Sequence, residues 1–312
     1  MTTPSRTFRT LRTMTSGGVV KKLAGRLRHP STAVADVRRL KSEFQRDAVR
    51  WYASYHEKRQ TPGRVYRIWG RHCRMWLPMS FGETVAQRRF GLFEPMTFDT
   101  LQRIVKPGFA VVEIGACYGE FTIHLSRLVG PEGLVFSFEP FPKYFAIAEK
   151  NVALNELANV RLMNQAIGPA EVRSLDLDPE ANHPYGSLSQ ISGLDYGART
   201  FAGGAPSGAH ASVPCVPLSQ FLRAEQVVPD LVFMDIEGCE IQVFPDLEPL
   251  LRSPGKRPIV YFELHSHFYK DGDQARFEAL FRDCGYSMER IAGLLLCVPP
   301  VASAPGTTGA AS

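Results

Sequence analysis

A chain of 312 residues with 44% hydrophobic and 21% charged side chains has enough apolar material for one large α/β core with additions, or for two domains. It is neither disordered nor fibrous in composition. No apolar stretch approaches the roughly 20 residues that span a membrane, and no secretory leader is expected at the amino terminus. The net charge of +5 hides two opposed parts, because residues 1–80 hold 18 of the 36 Lys+Arg but only 4 of the 31 Asp+Glu.

Residues 1–33 contain no acid, and Asp36 is the first. A flexible solvated tail, a segment held on an anionic membrane or nucleic acid, and an organellar transit peptide all share this composition. Residues 34–89 read as a helical, aromatic extension. Val37, Leu40, Phe44, Ala48 and Trp51 recur at helical spacing after the N-cap candidate Ser31, with arginines on the other face. Between Trp51 and Trp76, tyrosines alternate with Arg64, Arg67, Arg71 and Arg74. That mixture makes either a recognition surface or a packed subdomain.

Residues 90–298 alternate strands and helices. A short helix around Phe98–Val105 precedes a Pro107-Gly108 turn, and strands are expected at 109–114, 134–138, 159–165, 213–218, 229–235 and 258–264. Helices fall at 119–128, 142–156 and 273–284, and two closing strands near 286–291 and 293–298. The pattern predicts a mainly parallel, Rossmann-like sheet with helices on both faces. Residues 196–212 read as a glycine-rich insertion and 299–312 as a low-complexity tail. The six cysteines show no metal spacing, which suggests reduced thiols and a cytoplasmic protein.

Two constellations carry chemistry. The first is Glu113-Ile114-Gly115-Ala116-Cys117-Tyr118-Gly119 after an apolar run, followed some twenty residues later by Glu139 at the end of another. Glycines let a ligand approach the backbone, and the second acid can accept hydrogen bonds from a ribose diol. The turn lacks the full dinucleotide pattern and places an acid beside it. That favours S-adenosylmethionine (SAM), which carries an ammonium and no phosphate, over NAD. The second constellation is Asp235-Ile236-Glu237-Gly238-Cys239-Glu240 after Leu231–Met234, joined by His265 at the end of the next strand. Carboxylates facing a histidine can move a proton, or hold a divalent metal through Asp235 and Glu237.

Val112–Ala116, Phe138-Glu139-Pro140, Asn151-x-x-x-Asn155 and the Asp235–Glu240 run together resemble the FkbM family of SAM-dependent methyltransferases, over roughly residues 90–295. The resemblance implies a seven-stranded class I methyltransferase fold with an antiparallel hairpin at one edge. It also implies methyl transfer to a hydroxyl on a sugar, glycolipid or secondary metabolite. Carried over, Glu113 and Gly115 line the methionine half of SAM, with Ala116, Gly119 and Asp235 also at the cofactor; Glu139 holds the ribose, and Gln165 and Ala166 border the adenine. Asp235 and Glu237 face the methyl group and acceptor. From the residues themselves, His265 or Asp235 is the candidate base, with a divalent metal acidifying the hydroxyl as the alternative. Three departures stand out. Glu113 replaces the usual aspartate, Leu218-Ser219-Gln220 replaces Leu-Asp-Asp, and Phe233 stands where a lysine is usual.

The expected partner is a small-molecule or glycan acceptor, with peripheral contact to an anionic membrane through the basic front. Nucleic acid is the less expected partner. The rival readings are an RNA or protein methyltransferase guided by that front, and a SAM- or glycan-binding protein without turnover.

Overall fold

A computed structural model describes residues 49, 52, 63–68, 71–78, 82–89, 91–177, 211–266 and 269–300. The basic tail, most of the 31–55 helix, the 196–210 part of the insertion and the end of the C-terminal tail lie outside these residues. The chain divides into two compact units, one of residues 1–62 and 78–93 and the other of 63–77 and 94–312. In the first, Val49 and Tyr52 are helical and buried. Its other described helix is Gly82–Arg89 (α1 below), where Arg88 stacks over Phe93 at 3.7 Å.

The larger unit opens with a hairpin, β1 (Arg64–Arg67) and β2 (Arg74–Leu77), paired antiparallel. After α1 of the smaller unit come α2 (Pro95–Ile104), β3 (Ala110–Ile114), α3 (Glu120–Val129), β4 (Leu134–Phe138), α4 (Pro142–Leu154) and β5 (Val160–Met163). Then follow β6 (Ala166–Ile167), β7 (Ser174–Leu177), β8 (Ala211–Val216), α5 (Leu218–Glu225), β9 (Leu231–Met234), α6 (Glu240–Leu251) and β10 (Ile259–Glu263). The chain closes with α7 (Asp273–Asp283), β11 (Ser287–Ile291) and β12 (Leu294–Val298).

Seven strands form one sheet in the order β11-β12-β10-β9-β3-β4-β5. Only β12 runs antiparallel to its neighbours; the rest of the sheet is parallel. From β3 the chain winds outward through β4 and β5, then returns to β9 on the other side of β3. The reversal between β3 and β9 is where open α/β sheets bind ligands, because neighbouring strands send their following loops in opposite directions. This is the class I methyltransferase arrangement, with its antiparallel hairpin at the β11–β12 edge. A separate three-stranded sheet, β6-β8-β7, flanks it.

The parallel strands are buried on both faces, so they read as continuous apolar runs. Val112, Ile114, Phe136, Phe138, Val232, Met234, Val260 and Phe262 pack with Phe244, Phe277 and Phe281 on one side. Period two sends Glu113, Ser137, Phe233 and Tyr261 to the other. There Phe233 meets Phe121 edge-on at 5.0 Å and Tyr261 at 5.8 Å. An aromatic stack thus fills the volume at the unusual Phe233.

The hairpin belongs with the sheet unit, and the boundary read at 89/90 therefore needs correction for residues 63–77. The cause is two asparagines one turn apart at the end of α4, Asn151 in its last turn and Asn155 as its C-cap. Asn151 accepts from the Trp76 N–H (2.6 Å) and donates to the Trp76 and Tyr118 carbonyls (3.2 and 2.9 Å). Asn155 accepts from the Arg74 N–H (3.2 Å) and donates to the Arg74 carbonyl (2.7 Å). A side-chain amide copies a peptide unit, so the pair pairs with alternate residues of β2 as a neighbouring strand would.

The first helix expected near 98–105 begins earlier, at Pro95, because proline suits a first helical turn. The strand expected at 213–218 stops at Val216, and Leu218–Glu225 forms a helix after Pro217 instead. Ser219 there donates its N–H and hydroxyl to the two Asp246 oxygens, each at 2.6 Å. An aspartate at this position would oppose Asp246 with a second carboxylate, which gives the serine a structural reason.

Candidate active site

The glycine turn joins β3 to α3 at the sheet's C-terminal edge. Gly115 has φ +97°, and a Cβ there would lie 2.1 Å from the Asp235 carbonyl oxygen. Only glycine allows the β3 and β9 exits to cross this closely. Gly119 also has positive φ (+78°) and caps α3, facing Ala148 at 3.3 Å from the position of a Cβ.

Glu139 ends β4 and is almost fully buried. Its Oε2 accepts from the Cys117 N–H at 2.7 Å and its Oε1 from the Phe141 N–H at 2.9 Å. One carboxylate therefore ties the glycine turn to the start of α4. Each oxygen keeps a second lone pair. Burial pushes its pKa up to about 7, although both N–H donors favour the charged form. Asn164, which the sequence did not mark, donates to the Glu139 and Pro140 carbonyls (2.8 and 2.9 Å) and fixes this turn.

Glu113 does not open on this pocket as expected; it is fully buried beneath the turn. Its Oε2 accepts from the Thr122 and Ser137 hydroxyls (2.6 and 2.5 Å), while Oε1 has no hydrogen-bond partner among the described residues. Burial raises its pKa to about 7. Phe233 is its register neighbour on β9, so the position where a lysine is usual offers it no countercharge. Ala116 is buried within the turn, at 4% exposure. Ala166 also departs from expectation: it packs with Leu175, Leu177, Val213 and Cys215 inside the small sheet. Gln165, just before it, is half-buried.

Across the switch point, β9 and β10 deliver the second constellation. Glu237 adopts φ +53° and Gly238 φ +96°, a sharp turn that curls Asp235–Glu240 back over the sheet edge. Glu240, at the start of α6, has no exposure at all. Its Oε1 accepts from the Ile236 and Gly238 N–H groups (both 3.3 Å) and lies 2.9 Å from His265 Nδ1. Its Oε2 accepts from the Tyr269 hydroxyl at 3.0 Å. With Nδ1 held, His265 aims Nε2 at Glu237 Oε2 (3.4 Å), Asp235 Oδ1 (3.8 Å) and Glu263 Oε2 (3.8 Å).

The charges act on one another. Burial lowers the His265 pKa, but the hydrogen bond to Glu240 and the charges of Glu240, Glu237 and Glu263 outweigh it and raise the value overall. Burial raises Glu237 to about 7 against the pull of His265. Asp235 is raised well above the usual carboxylate range by burial and by Glu263, Glu94, Glu237 and Glu240 around it. The carboxylates around His265 thus favour its charged form, and Glu237, raised to about 7, is the group poised to accept a proton there. For metal binding, the expected pair Asp235/Glu237 gives way to Asp235, Glu263 and His265, whose ligand atoms all lie within 4.8 Å of one another.

Comparison with known proteins adds the following. Residues 113–288 match the family model described as Methyltransferase FkbM domain. The chain is 40% identical over 73 residues to tRNA (adenine(58)-N(1))-methyltransferase TrmI of Thermus thermophilus, covering 23% of this chain and 29% of that protein. It thus spans under a third of the length of such curated relatives. The Bacillus cereus O-methyltransferase solved in complex with SAH is similar at 15% identity, covering 65% of this chain and 78% of that one, with a TM-score of 0.39. TYW2 of M. jannaschii in complex with AdoMet is similar at 15% identity, covering 75% and 83%, with a TM-score of 0.38.

Proposed function

The chain belongs to the FkbM methyltransferase domain family, and on that premise we propose that it transfers a methyl group from SAM to a hydroxyl of a small-molecule, sugar or glycolipid acceptor. The supporting observation is the meeting of two unlike constellations across one switch point. The glycine turn and Glu139 stand on the β3–β4 side, and the Asp235–His265 cluster on the β9–β10 side.

The residues fit the cofactor. Gly115 and Gly119 leave backbone room, Glu139 keeps an open lone pair on each oxygen for a ribose diol, and the buried Asp235 Oδ1 has no hydrogen-bond partner among the described residues. In this reading Gly115, Ala116 and Gly119 border the methionine half, Glu139 holds the ribose, and Gln165 lies toward the adenine. Glu113 supports the turn from below. SAM, when bound, supplies an electrophilic methyl group on a sulfonium.

The chain's own residues do the rest. Asp235 and Glu237 orient the acceptor hydroxyl, and such positioning supplies up to about 7–11 kcal/mol in well-aligned systems. Glu237 takes the hydroxyl proton as the new bond forms, a role for which a pKa about 7 is suited. His265 is the positioning residue: held by Glu240, it keeps Glu237 aimed and partly charged.

RNA is the second acceptor reading. It is favoured by the 40% identical segment shared with a tRNA methyltransferase and by the basic front of residues 1–80. An affinity for RNA that falls steeply with salt would support it. The deciding experiment is calorimetric titration with SAM and its demethylated product, beside Glu139→Gln, followed by transfer assays on hydroxylated glycans. Binding that Glu139→Gln weakens strongly is expected. No binding of either compound to the intact protein would sink the proposal.

A further inference from the structure

The β9–β10 end of the site holds more negative charge than its neighbours balance. Asp235, Glu237, Glu240 and Glu263 surround one imidazole, and among the described residues none of the four pairs with a lysine or arginine. Carboxylates crowded in a half-buried recess must either take up protons or share a cation. Three features single out the cation.

First, the donors converge. Asp235 Oδ1 and Glu263 Oε2 each lie 3.8 Å from His265 Nε2, too far for hydrogen bonds, and the three residues offer one ligand atom each within 4.8 Å of the others. Two donors on one first-row ion, each bonded at about 2.0–2.2 Å, stand no more than about 4.4 Å apart. Small side-chain rotations therefore bring all three onto a common centre. Second, the histidine is already oriented as metal-bound histidines are. Its other nitrogen meets the buried Glu240, which is itself fixed by Tyr269 and two backbone N–H groups. Third, the buried Asp235 Oδ1 lacks a hydrogen-bond partner among the described residues.

We propose that Asp235, Glu263 and His265 Nε2 form a site for a first-row divalent cation such as Mn²⁺. The mixed set of two carboxylates and one imidazole suits Mn²⁺ better than the all-oxygen cages of Ca²⁺. Glu237 stays outside the donor set as the proton acceptor. Binding of the ion does not rest on the methyl-transfer reading. Its use does: the ion would hold and acidify the acceptor hydroxyl, whose proton passes to Glu237 as the oxygen–carbon bond forms and the methyl–sulfur bond of SAM breaks, its electron pair leaving with the neutral thioether.

The test is titration of the metal-free full chain with Mn²⁺ while the electron paramagnetic resonance signal of the free ion is followed. One ion per chain is expected to leave the free pool, and the bound signal should show nitrogen modulation from one imidazole. Glu263→Gln should weaken binding roughly tenfold or more, and His265→Gln should also abolish the nitrogen modulation. Glu263→Asp, checked for folding by circular dichroism, covers the case in which a charge-removing variant unfolds. Free-ion signal that persists at millimolar Mn²⁺, or binding indifferent to Glu263 and His265, overturns the site. SAM titrated into the same samples separates the two ideas. SAM bound without Mn²⁺ removes only the metal, and Mn²⁺ bound without SAM removes only the donor pocket.

Discussion

The β3–β4 and β9–β10 halves of the sheet edge both bury carboxylates, yet they treat them oppositely. On the first side the two strand acids, Glu113 and Glu139, meet N–H or O–H donors. Glu139 takes two backbone N–H groups, and Glu113 takes the Thr122 and Ser137 hydroxyls. On the second, only Glu240 is so furnished, while Asp235, Glu237 and Glu263 crowd toward a single histidine. Acids held by donors fix a backbone shape; acids short of donors retain unspent affinity for protons or cations. The first half is a mould for a ligand of fixed shape, and the second is a reactive edge.

The contrast can be broken most severely at Glu237. Glu237→Gln should lower kcat by roughly 10²–10⁴ while SAM affinity stays close to that of the intact protein. A parallel loss of SAM binding would place Glu237 in the mould instead. Gly115→Ala attacks the seam between the halves. The new Cβ meets the Asp235 carbonyl at 2.1 Å in a left-handed backbone, and a loss of about 3 kcal/mol or more should appear in denaturant unfolding. Asn151→Ala removes three hydrogen bonds, two to the half-buried Trp76 peptide of the hairpin and one to the Tyr118 carbonyl, at about 2–3 kcal/mol by the same measurement.

The subtlest test is pH. Glu113 and Glu139 have folded pKa values about 7, above their ordinary 4.5, so the folded state binds their protons more tightly. Their contribution to stability is full below about 4.5 and is lost as pH rises through about 7, so the melting temperature of the SAM-free protein should fall over that window. SAM affinity should run the other way, because ionised Glu139 is the better acceptor for ribose hydroxyls. In Glu139→Gln that rise should flatten; an unchanged rise would assign it to another group.

The sheet was largely legible from the sequence because parallel strands buried on both faces leave continuous apolar runs, such as Leu231–Met234, ending in glycine turns. The Asp235–Glu240 run and His265 were legible as one site because β9 and β10 are adjacent and parallel. What stayed hidden depended on distant partners. Glu113 looked like a pocket residue, but Thr122 and Ser137 draw it inside. The 64–77 hairpin was masked by an arginine-and-aromatic composition that fits several structures, and its anchors lie 75–81 residues away. Glu263 entered the metal set through three-dimensional convergence alone.

The asparagine clasp has a consequence for how the family domain ends. Asn151 and Asn155 offer a strand-binding groove on α4, and the family match begins only at residue 113. The chain fills that groove with its own residues 74–76, as an intramolecular ligand at high effective concentration. A protein cut at residue 90 therefore loses a tethered strand and presents a vacant groove, which a separate peptide of residues 63–77 is shaped to fill.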